Sequence, residues 1–192
     1  RRTELWIPEE IKARIDMLFS AHRIGKKKIV VIHPSTGGEN HPRQWPEEYF
    51  VKLIEFLYNN YENDIILIGG KNENNIAERI EADTKGKAVS LCGQTDLNGT
   101  IEIIRRCALF ISGNTGTMHI AAALDKPLIA LHGPTDPARF GPLGNNSHVI
   151  KSPLHCSPCL NLGFEYGCKE YPCMKFITPN MVIDSIKLIN PL

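Results

Sequence analysis

The sequence predicts an α/β fold, in which a Rossmann-like parallel sheet lies between two layers of helices. Three observations support this class. Short apolar runs recur along the chain, amphipathic helical patterns separate them, and each of the first five runs is followed by a loop rich in glycine and hydrogen-bonding residues. Strict alternation of strands and helices favours a parallel sheet with right-handed crossovers. A length of 192 residues suits one substantial domain.

Five runs are continuously apolar, as expected for strands that are covered on both faces. A sixth, weaker run predicts a strand at an edge of the sheet. In chain order, the runs span residues 28–33, 64–69, 87–91, 108–112, 127–132 and 147–150.

Apolar residues at helical spacing predict the helices between these strands. Pro46 suits the first turn of one helix, and Thr178 followed by Pro179 suits the start of the last. The apolar faces consist of Ile11, Ile15, Leu18 and Phe19; Phe50, Leu53, Ile54 and Leu57; Ile76 and Ile80; Leu97, Ile101, Ile104 and Ala108; and Val182, Ile186 and Ile189.

The charge balance limits the classes of partner. There are 22 basic and 21 acidic residues, giving a net charge of +1, so bulk electrostatics favour neither nucleic acid nor an anionic membrane. No apolar run is long enough for a transmembrane helix, and the start lacks a signal-peptide layout, which predicts a soluble chain. Because it begins at Arg1 without methionine, we expect a piece of a longer protein.

Four of the six cysteines fall in one stretch, which has three interpretations. They are Cys156, Cys159, Cys168 and Cys173. The three interpretations are a tetrathiolate zinc site, two disulfides and a loop with free thiols. Cys92 and Cys107 lie in apolar segments and are expected to be buried core thiols.

The loop after the fourth strand, "GNTGTMH", has the composition of an anion site. A helix that begins near Thr115 or Gly116 presents unpaired backbone N–H groups, and its dipole favours phosphate. His119 lies three residues after Gly116, on the same face. The alternative is an ordinary turn, in which Asn114 or Thr115 caps the helix and His119 is a half-buried structural residue.

The loop after the first strand offers similar groups. Ser35 and Thr36 supply hydroxyls, Gly37 and Gly38 give backbone freedom, and Arg43 carries a charge suited to bidentate phosphate contact. Alternatively, Arg43 faces solvent beside a helix start.

After the second strand, Glu73 is a candidate for holding ribose hydroxyls, although helix starts also favour glutamate for electrostatic reasons. The sequence has no Walker A loop, no G-x-G-x-x-G after the first strand and no G-x-S-x-G. These absences disfavour nucleotide hydrolysis, a conventional NAD site and serine catalysis.

Four segments, in order, resemble a known family. They are "HPSTGGENHPRQWPEEYF", "LIGGKNE", "SGNTGTMHIAAALDKPLIALHGPTDPARFGP" and the cysteine stretch with "CMKFITPNMVIDSI". Together they resemble the carboxy-terminal half of the lipopolysaccharide heptosyltransferases, glycosyltransferase family nine. The resemblance extends from Ile29 to Ile186.

The resemblance implies a GT-B enzyme, in which two Rossmann-like domains face each other across a cleft. Residues 28–192 would bind the nucleotide-sugar donor, ADP-heptose or a similar compound, and residues 1–27 would be a linker and amphipathic helix from the interdomain region. The amino-terminal acceptor domain would be absent from this chain. The intact enzyme would add heptose, with inversion, to the lipopolysaccharide core at the cytoplasmic face of the inner membrane. It would require no cofactor and bind no nucleic acid, and any peripheral membrane contact would need the full-length protein.

The resemblance also implies roles for individual residues. Ser35 and Thr36 resemble the phosphate-contacting hydroxyl pair, and Arg43 resembles the basic residue before "WP". Glu73 would contact the ribose or the adenine, and Thr95 would line the base side. The start of the pyrophosphate-binding helix would consist of Thr115, Gly116 and His119.

Two departures from the family pattern matter. Asn114 stands where the family commonly has aspartate near the sugar hydroxyls, so the donor sugar is open. The aspartate that acts as base lies in the acceptor domain, so we expect this chain to bind donor without transferring sugar. The alternatives are a related transferase that uses another nucleotide sugar, and a non-catalytic nucleotide-binding or interaction module whose cysteines hold zinc.

Overall fold

A parallel sheet forms the centre of the part of the chain that the structure describes. The computed structural model describes residues 5–37, 41–159, 168 and 172–192. Within them, the strands are β1 Lys28–His33, β2 Asn63–Leu67, β3 Val89–Ser90, β4 Leu109–Gly113, β5 Leu128–His132 and β6 Ser147–Lys151. The helices are α1 Glu9–Ala21, α2 Glu47–Asn60, α3 Asn74–Asp83, α4 Leu97–Arg106, α5 Gly116–Ala123, α6 Pro137–Phe140, α7 Pro172–Lys175 and α8 Pro179–Ile189. A 3-10 turn, Lys71–Glu73, leads into α3.

The strand order in the sheet is β3-β2-β1-β4-β5-β6, and every neighbouring pair is parallel. The chain builds outward from β1 through β2 to β3, and then returns to place β4 on the other side of β1. Val30 pairs with Leu109, and His33 pairs with Ser112. In sheets of this type, ligands bind outside the carboxyl ends of the strands at such a switch point.

Helices cover both faces of the sheet. Val30 and Ile32 point to one face, where they join the core formed with α2, α3 and α8. Ile29 and Val31 point to the other face and pack with α1, α4 and α5. The predicted three-layer α/β architecture is therefore confirmed.

The observed strand bounds lie within two residues of the predicted runs, and the largest shortening is in β3. β1 has the predicted bounds, and β6 lies at an edge as expected. β3 has two residues because it pairs only with the last two residues of β2, Ile66 with Val89 and Leu67 with Ser90. An edge strand that meets the end of its neighbour has no partner for a longer ladder.

Two helix details differ from the sequence prediction. Leu97, expected on the buried face of α4, is 64% exposed. It is the first residue of the helix, and the core contact comes instead from Ile103 and Ile104. Thr178 occupies the N-cap position of α8, but within the described chain its side chain makes no capping hydrogen bond. None of the described helices combines the length and the apolar character needed to span a bilayer.

Helix α1 is part of the same packed unit as the sheet. Ile15 is fully buried and Phe19 is 5% exposed, both in the core beneath β1 and α4. On the surface of this contact, Arg14 Nη2 lies 2.7 Å from Asp96 Oδ1. Arg106 on α4 also pairs with Asp16 on α1.

We expect Ile15→Ala to lower the free energy of unfolding by about 2–5 kcal/mol, because it leaves a cavity between α1 and the sheet. Met17→Ala is the matched control, since Met17 is 68% exposed on the same helix and its truncation should change stability by less than about 0.5 kcal/mol. Urea denaturation measures both. Equal small effects would contradict the contribution of α1 to the core.

Candidate functional site

A cavity of about 420 Å³ opens at the carboxyl ends of the central strands. Its volume lies within the range of small-molecule sites, roughly 300–1,000 Å³. The lining residues are His33, Thr36, Gly37, Arg43, Glu73, Asn114, Thr115, Gly116 and His119. The loops that follow β1, β2 and β4 therefore converge on one polar crevice.

Most of the residues singled out in the sequence line this cavity, and two do not. Ser35 is fully buried beside it, and its hydroxyl hydrogen-bonds to Glu73. Thr95 lies in the loop between β3 and α4, where its Oγ1 is 3.0 Å from Thr100 Oγ1. Gly38 lies outside the described residues.

The start of α5 combines features of both sequence interpretations. Thr115 is the N-cap, and its Oγ1 accepts a hydrogen bond from Met118 N at 3.4 Å. At Gly116, no described atom lies within 4 Å of the position that a Cβ would occupy, so the first turn opens to the cavity. His119 is exposed rather than half-buried. The helix is thus capped and also presents free space in front of its positive end.

Thr36 lines the cavity, and its hydroxyl is buried and unpaired within the described part of the chain. The residue is 6% exposed, and its Oγ1 has no hydrogen-bond partner among the described residues. A buried unpaired hydroxyl costs about 1–3 kcal/mol. A ligand acceptor would recover this energy only when the Thr36 side chain turns its hydroxyl towards the cavity.

Gly113 allows the loop of β1 to approach β4 closely. A Cβ at Gly113 would lie 2.7 Å from Thr36 Cγ2, which is too close for any side chain. Arg43 then spans the same two loops, because its Nη1 donates to the backbone oxygen of Asn114 at 3.1 Å. Burial lowers the pKa of Arg43, but a guanidinium remains charged in proteins.

The amide of Asn114 has a structural partner. Asn114 is 8% exposed, and its Nδ2 donates to the backbone oxygen of Phe140 at 3.2 Å. An aspartate here would direct a carboxylate oxygen at that carbonyl oxygen and could not donate to it. The amide orientation leaves Oδ1 as the acceptor for a ligand.

Glu73 forms the acidic side of the cavity. Its Oε2 accepts from Gly70 N at 2.7 Å and lies 3.1 Å from His33 Nε2. Burial alone would raise the pKa of this carboxyl. The hydrogen bond and charge of His33, followed by the hydrogen bonds of Gly70 and Ser35, lower it to about 2. Glu73 is therefore ionised at neutral pH.

Two residues of this network, His33 and Thr117, were not predicted from the sequence to belong to the site. His33 Nδ1 lies 2.7 Å from Thr117 Oγ1. The available signal was a histidine at the final position of an otherwise apolar strand, at the end of the sheet where ligands bind. Its partners come from the loop after β2 and from α5, so no local pattern shows the connection.

The charges divide the cavity into two sides. Arg43, His119 and the first turn of α5 lie on the basic side, and Glu73 lies on the acidic side. The basic side suits an anion such as phosphate. The acidic side suits hydroxyl or amine donors.

The cysteines lie outside this cavity. All six are free thiols in the structure, and burial raises the pKa values of Cys92 and Cys107 to about 12, in agreement with their expected core positions. Burial, together with Cys159 and Cys168, raises the pKa of Cys173 to about 11. Among the described residues, no three potential ligands form a metal-binding group, so the zinc interpretation stays a prediction.

Comparison with known proteins identifies the family. The model of glycosyltransferase family 9 (heptosyltransferase) matches residues 8–169. The chain belongs to glycosyltransferase family 9. Lipooligosaccharide heptosyltransferase 2 of Haemophilus ducreyi is 38% identical over 150 residues, which is 68% of this chain and 43% of that protein. Its counterpart in Campylobacter jejuni (serotype O:2) is 30% identical over 168 residues, 84% of this chain and 50% of that protein.

Solved structures of the family share the fold. E. coli ADP-heptose lps heptosyltransferase II matches with a TM-score of 0.76 at 24% identity, over 97% of this chain and 53% of that one. E. coli heptosyltransferase WaaC with ADP matches with a TM-score of 0.68 at 26% identity, over 88% of this chain and 47% of that one. This family 9 chain spans about half the length of the curated relatives it matches.

The pKa of Glu73 predicts a pH dependence of stability in this family 9 chain. A carboxyl whose pKa is lower in the folded state stabilises the fold above its ordinary value of 4.5, and this contribution is lost as the pH falls towards about 2. The loss is at most about 3 kcal/mol. Glu73→Gln removes it, so the stability difference between wild type and variant should shrink between pH 5 and pH 3, as measured by urea denaturation.

The exposed Glu62 provides the control for this measurement. Glu62→Gln, measured over the same pH range, shows the effect of replacing an exposed carboxyl outside the cavity. Parallel pH curves for wild type and Glu73→Gln would contradict the stabilising role of the Glu73 carboxylate.

Proposed function

We propose that this chain is the donor-binding half of a GT-B heptosyltransferase that adds heptose to the lipopolysaccharide core, and that its cavity binds ADP-heptose. Membership of family 9 supports the reaction class. Relatives named as heptosyltransferases, and a solved family member described with ADP, support the donor. In this proposal residues 28–192 form the donor domain, and residues 1–27 connect it with an acceptor domain.

The observation that carries the proposal is the open start of α5, which lines the same cavity as Arg43. A diphosphate between them would accept from Arg43 and from the N–H groups of the first helical turn. A turn of the Thr36 side chain would add its hydroxyl as a third donor. His119 is a further donor on the same face of α5. These groups form one concave surface for an anion.

The remaining proposed contacts are with the two parts of the donor on either side of the diphosphate, the nucleoside and the sugar. Glu73 holds ribose hydroxyls, with Ser35 acting through its hydrogen bond to Glu73. Thr95 lies on the base side. At the other end, Oδ1 of Asn114 accepts from a hydroxyl of the donor sugar.

The proposed reaction uses the basic side of the cavity. An acceptor hydroxyl attacks the anomeric carbon with inversion, the bond to the diphosphate breaks, and ADP leaves. Arg43 and the α5 start stabilise the charge that develops on the leaving group. These protein groups supply the positive field, so the proposal invokes no metal or other cofactor.

The acceptor domain completes the proposal. It supplies the base, binds the lipopolysaccharide core and makes any peripheral membrane contact, at the cytoplasmic face of the inner membrane. In this proposal the donor-binding residues alone bind donor without transferring sugar, and the net charge of +1 does not favour nucleic acid as a partner.

Isothermal calorimetry with ADP tests the site. Arg43→Ala should weaken binding by about 10- to 100-fold, because it removes a charge-assisted phosphate contact. Thr36→Val should weaken it by about 3- to 10-fold while leaving stability unchanged or higher, since the lost hydroxyl is unpaired in the free protein. Lys27→Ala is the control, because Lys27 is exposed before the amino end of β1, away from the cavity.

The two parts of the result have separate meanings. If wild type binds neither ADP nor a nucleotide sugar, the proposed function is wrong. If ADP binds but Arg43→Ala and Lys27→Ala have equal effects, the diphosphate lies elsewhere.

A donor with another sugar is the second candidate, and Asn114 is the observation that favours it. Competition calorimetry should show ADP-heptose binding about tenfold more tightly than ADP-glucose if heptose is the donor. Asn114→Asp should weaken the binding of both compounds, because the amide contact with Phe140 positions the acceptor oxygen of Asn114. A preference for ADP-glucose would support the second candidate.

A further inference from the structure

His33 lies between two parts of the cavity that come from different strands. It is the last residue of the central strand β1 and is 7% exposed. On one side lies β2, followed by the loop that carries Glu73. On the other side lies β4, followed by the start of α5. This position lets a single imidazole ring contact both loops.

The contacts determine where the ring carries its hydrogen. Glu73 is an ionised carboxylate at neutral pH because its pKa is about 2, so it only accepts hydrogen bonds. The 3.1 Å contact with Glu73 Oε2 therefore requires a hydrogen on His33 Nε2. His33 Nδ1 lies 2.7 Å from the Thr117 hydroxyl, which can either donate or accept a hydrogen bond.

The hydrogen bonds continue into the start of the helix. Thr117 Oγ1 lies 2.8 Å from Thr115 Oγ1, and Thr115 is the N-cap of α5. Through these contacts, His33 connects the acidic side of the cavity with the helix start on its basic side. A displacement of the His33 ring would change the alignment of one side relative to the other.

Glu73 keeps acceptor capacity for a ligand. An ionised carboxylate offers about four acceptor positions. The donors that lower its pKa are His33, Gly70 and Ser35, which are fewer than these positions, and the Glu73 side chain lines the cavity. The three donors fix the orientation in which the carboxylate is presented.

We propose that His33 is a positioning residue, which holds the Glu73 carboxylate within reach of the ribose hydroxyls of a nucleoside diphosphate whose phosphates lie at the start of α5. The inference rests on the proposed function and deepens it. His33 acts through Glu73 and does not touch the reacting atoms.

Two substitutions separate the two contacts of the ring. The amide nitrogen of glutamine reaches about as far as Nε2, so His33→Gln keeps a donor for Glu73. The shorter side chain of asparagine places its amide near Nδ1, so His33→Asn keeps a partner for Thr117 and loses the contact with Glu73. Calorimetry with ADP and with 2′,3′-dideoxy-ADP then reports the affinity contributed by the ribose hydroxyls.

Wild type should bind ADP about tenfold more tightly than the dideoxy compound. His33→Gln should keep most of this ratio, and His33→Asn should reduce it to about one or two. In a Glu73→Gln background, where the carboxylate is absent, His33→Asn should change the ratio no further. Thermal unfolding of each variant confirms that it is folded.

The outcomes distinguish this inference from the proposed function. If His33 had only a structural role, its substitution would weaken the binding of both nucleotides equally and preserve their affinity ratio. An unchanged ratio in His33→Asn would therefore overturn the inference, while ADP binding by wild type would still support the proposed function. Absence of ADP binding by wild type would overturn both. If His33→Asn does not fold, the single variants Thr117→Val and His33→Gln carry the test. His33→Gln keeps the donor for Glu73, so loss of the ADP to dideoxy-ADP affinity ratio in this variant overturns the inference.

Discussion

The close approach of the β1 loop to the end of β4 is the constraint on which the site depends. Gly113 has no side chain, so Thr36 packs against its backbone at a distance that a Cβ would forbid. Arg43, further along the same loop, then reaches the backbone oxygen of Asn114. Because β1 and β4 are parallel neighbours at the switch point of the sheet, both loops leave from the same edge. The cavity is the space that remains between them.

The charged groups make the two sides of the cavity chemically different. The basic groups surround the start of α5, whereas Glu73 lies behind the end of β2. Two strand-ending histidines show how differently similar positions are used. His132, at the end of β5, is 1% exposed, and burial lowers its pKa to about 4, so it remains a neutral core residue. His33 lines the cavity and contacts an ionised carboxylate.

Sequence patterns predicted the features that depend on local order. The continuous apolar runs gave the strand positions because both faces of the sheet are covered, and glycine with a capping threonine marked the start of α5. Features that depend on contacts between distant segments could not be predicted from the sequence. His33 gains its partners from the loop after β2 and from α5, and Leu97 is exposed because its helix begins beyond the core.

Asn114 shows how a departure from a family pattern acquires a physical meaning. The amide bonds the carbonyl of Phe140, at the end of α6, and so joins the loop after β4 to the loop after β5. An aspartate would lose this bond and place two oxygens in contact. In the proposed complex, the amide oxygen would contact the donor sugar through hydrogen bonds from its hydroxyls and not through a formal charge. Selectivity at this end of the proposed site would then depend on how firmly α6 holds the amide through Phe140, a residue that is not among those lining the cavity.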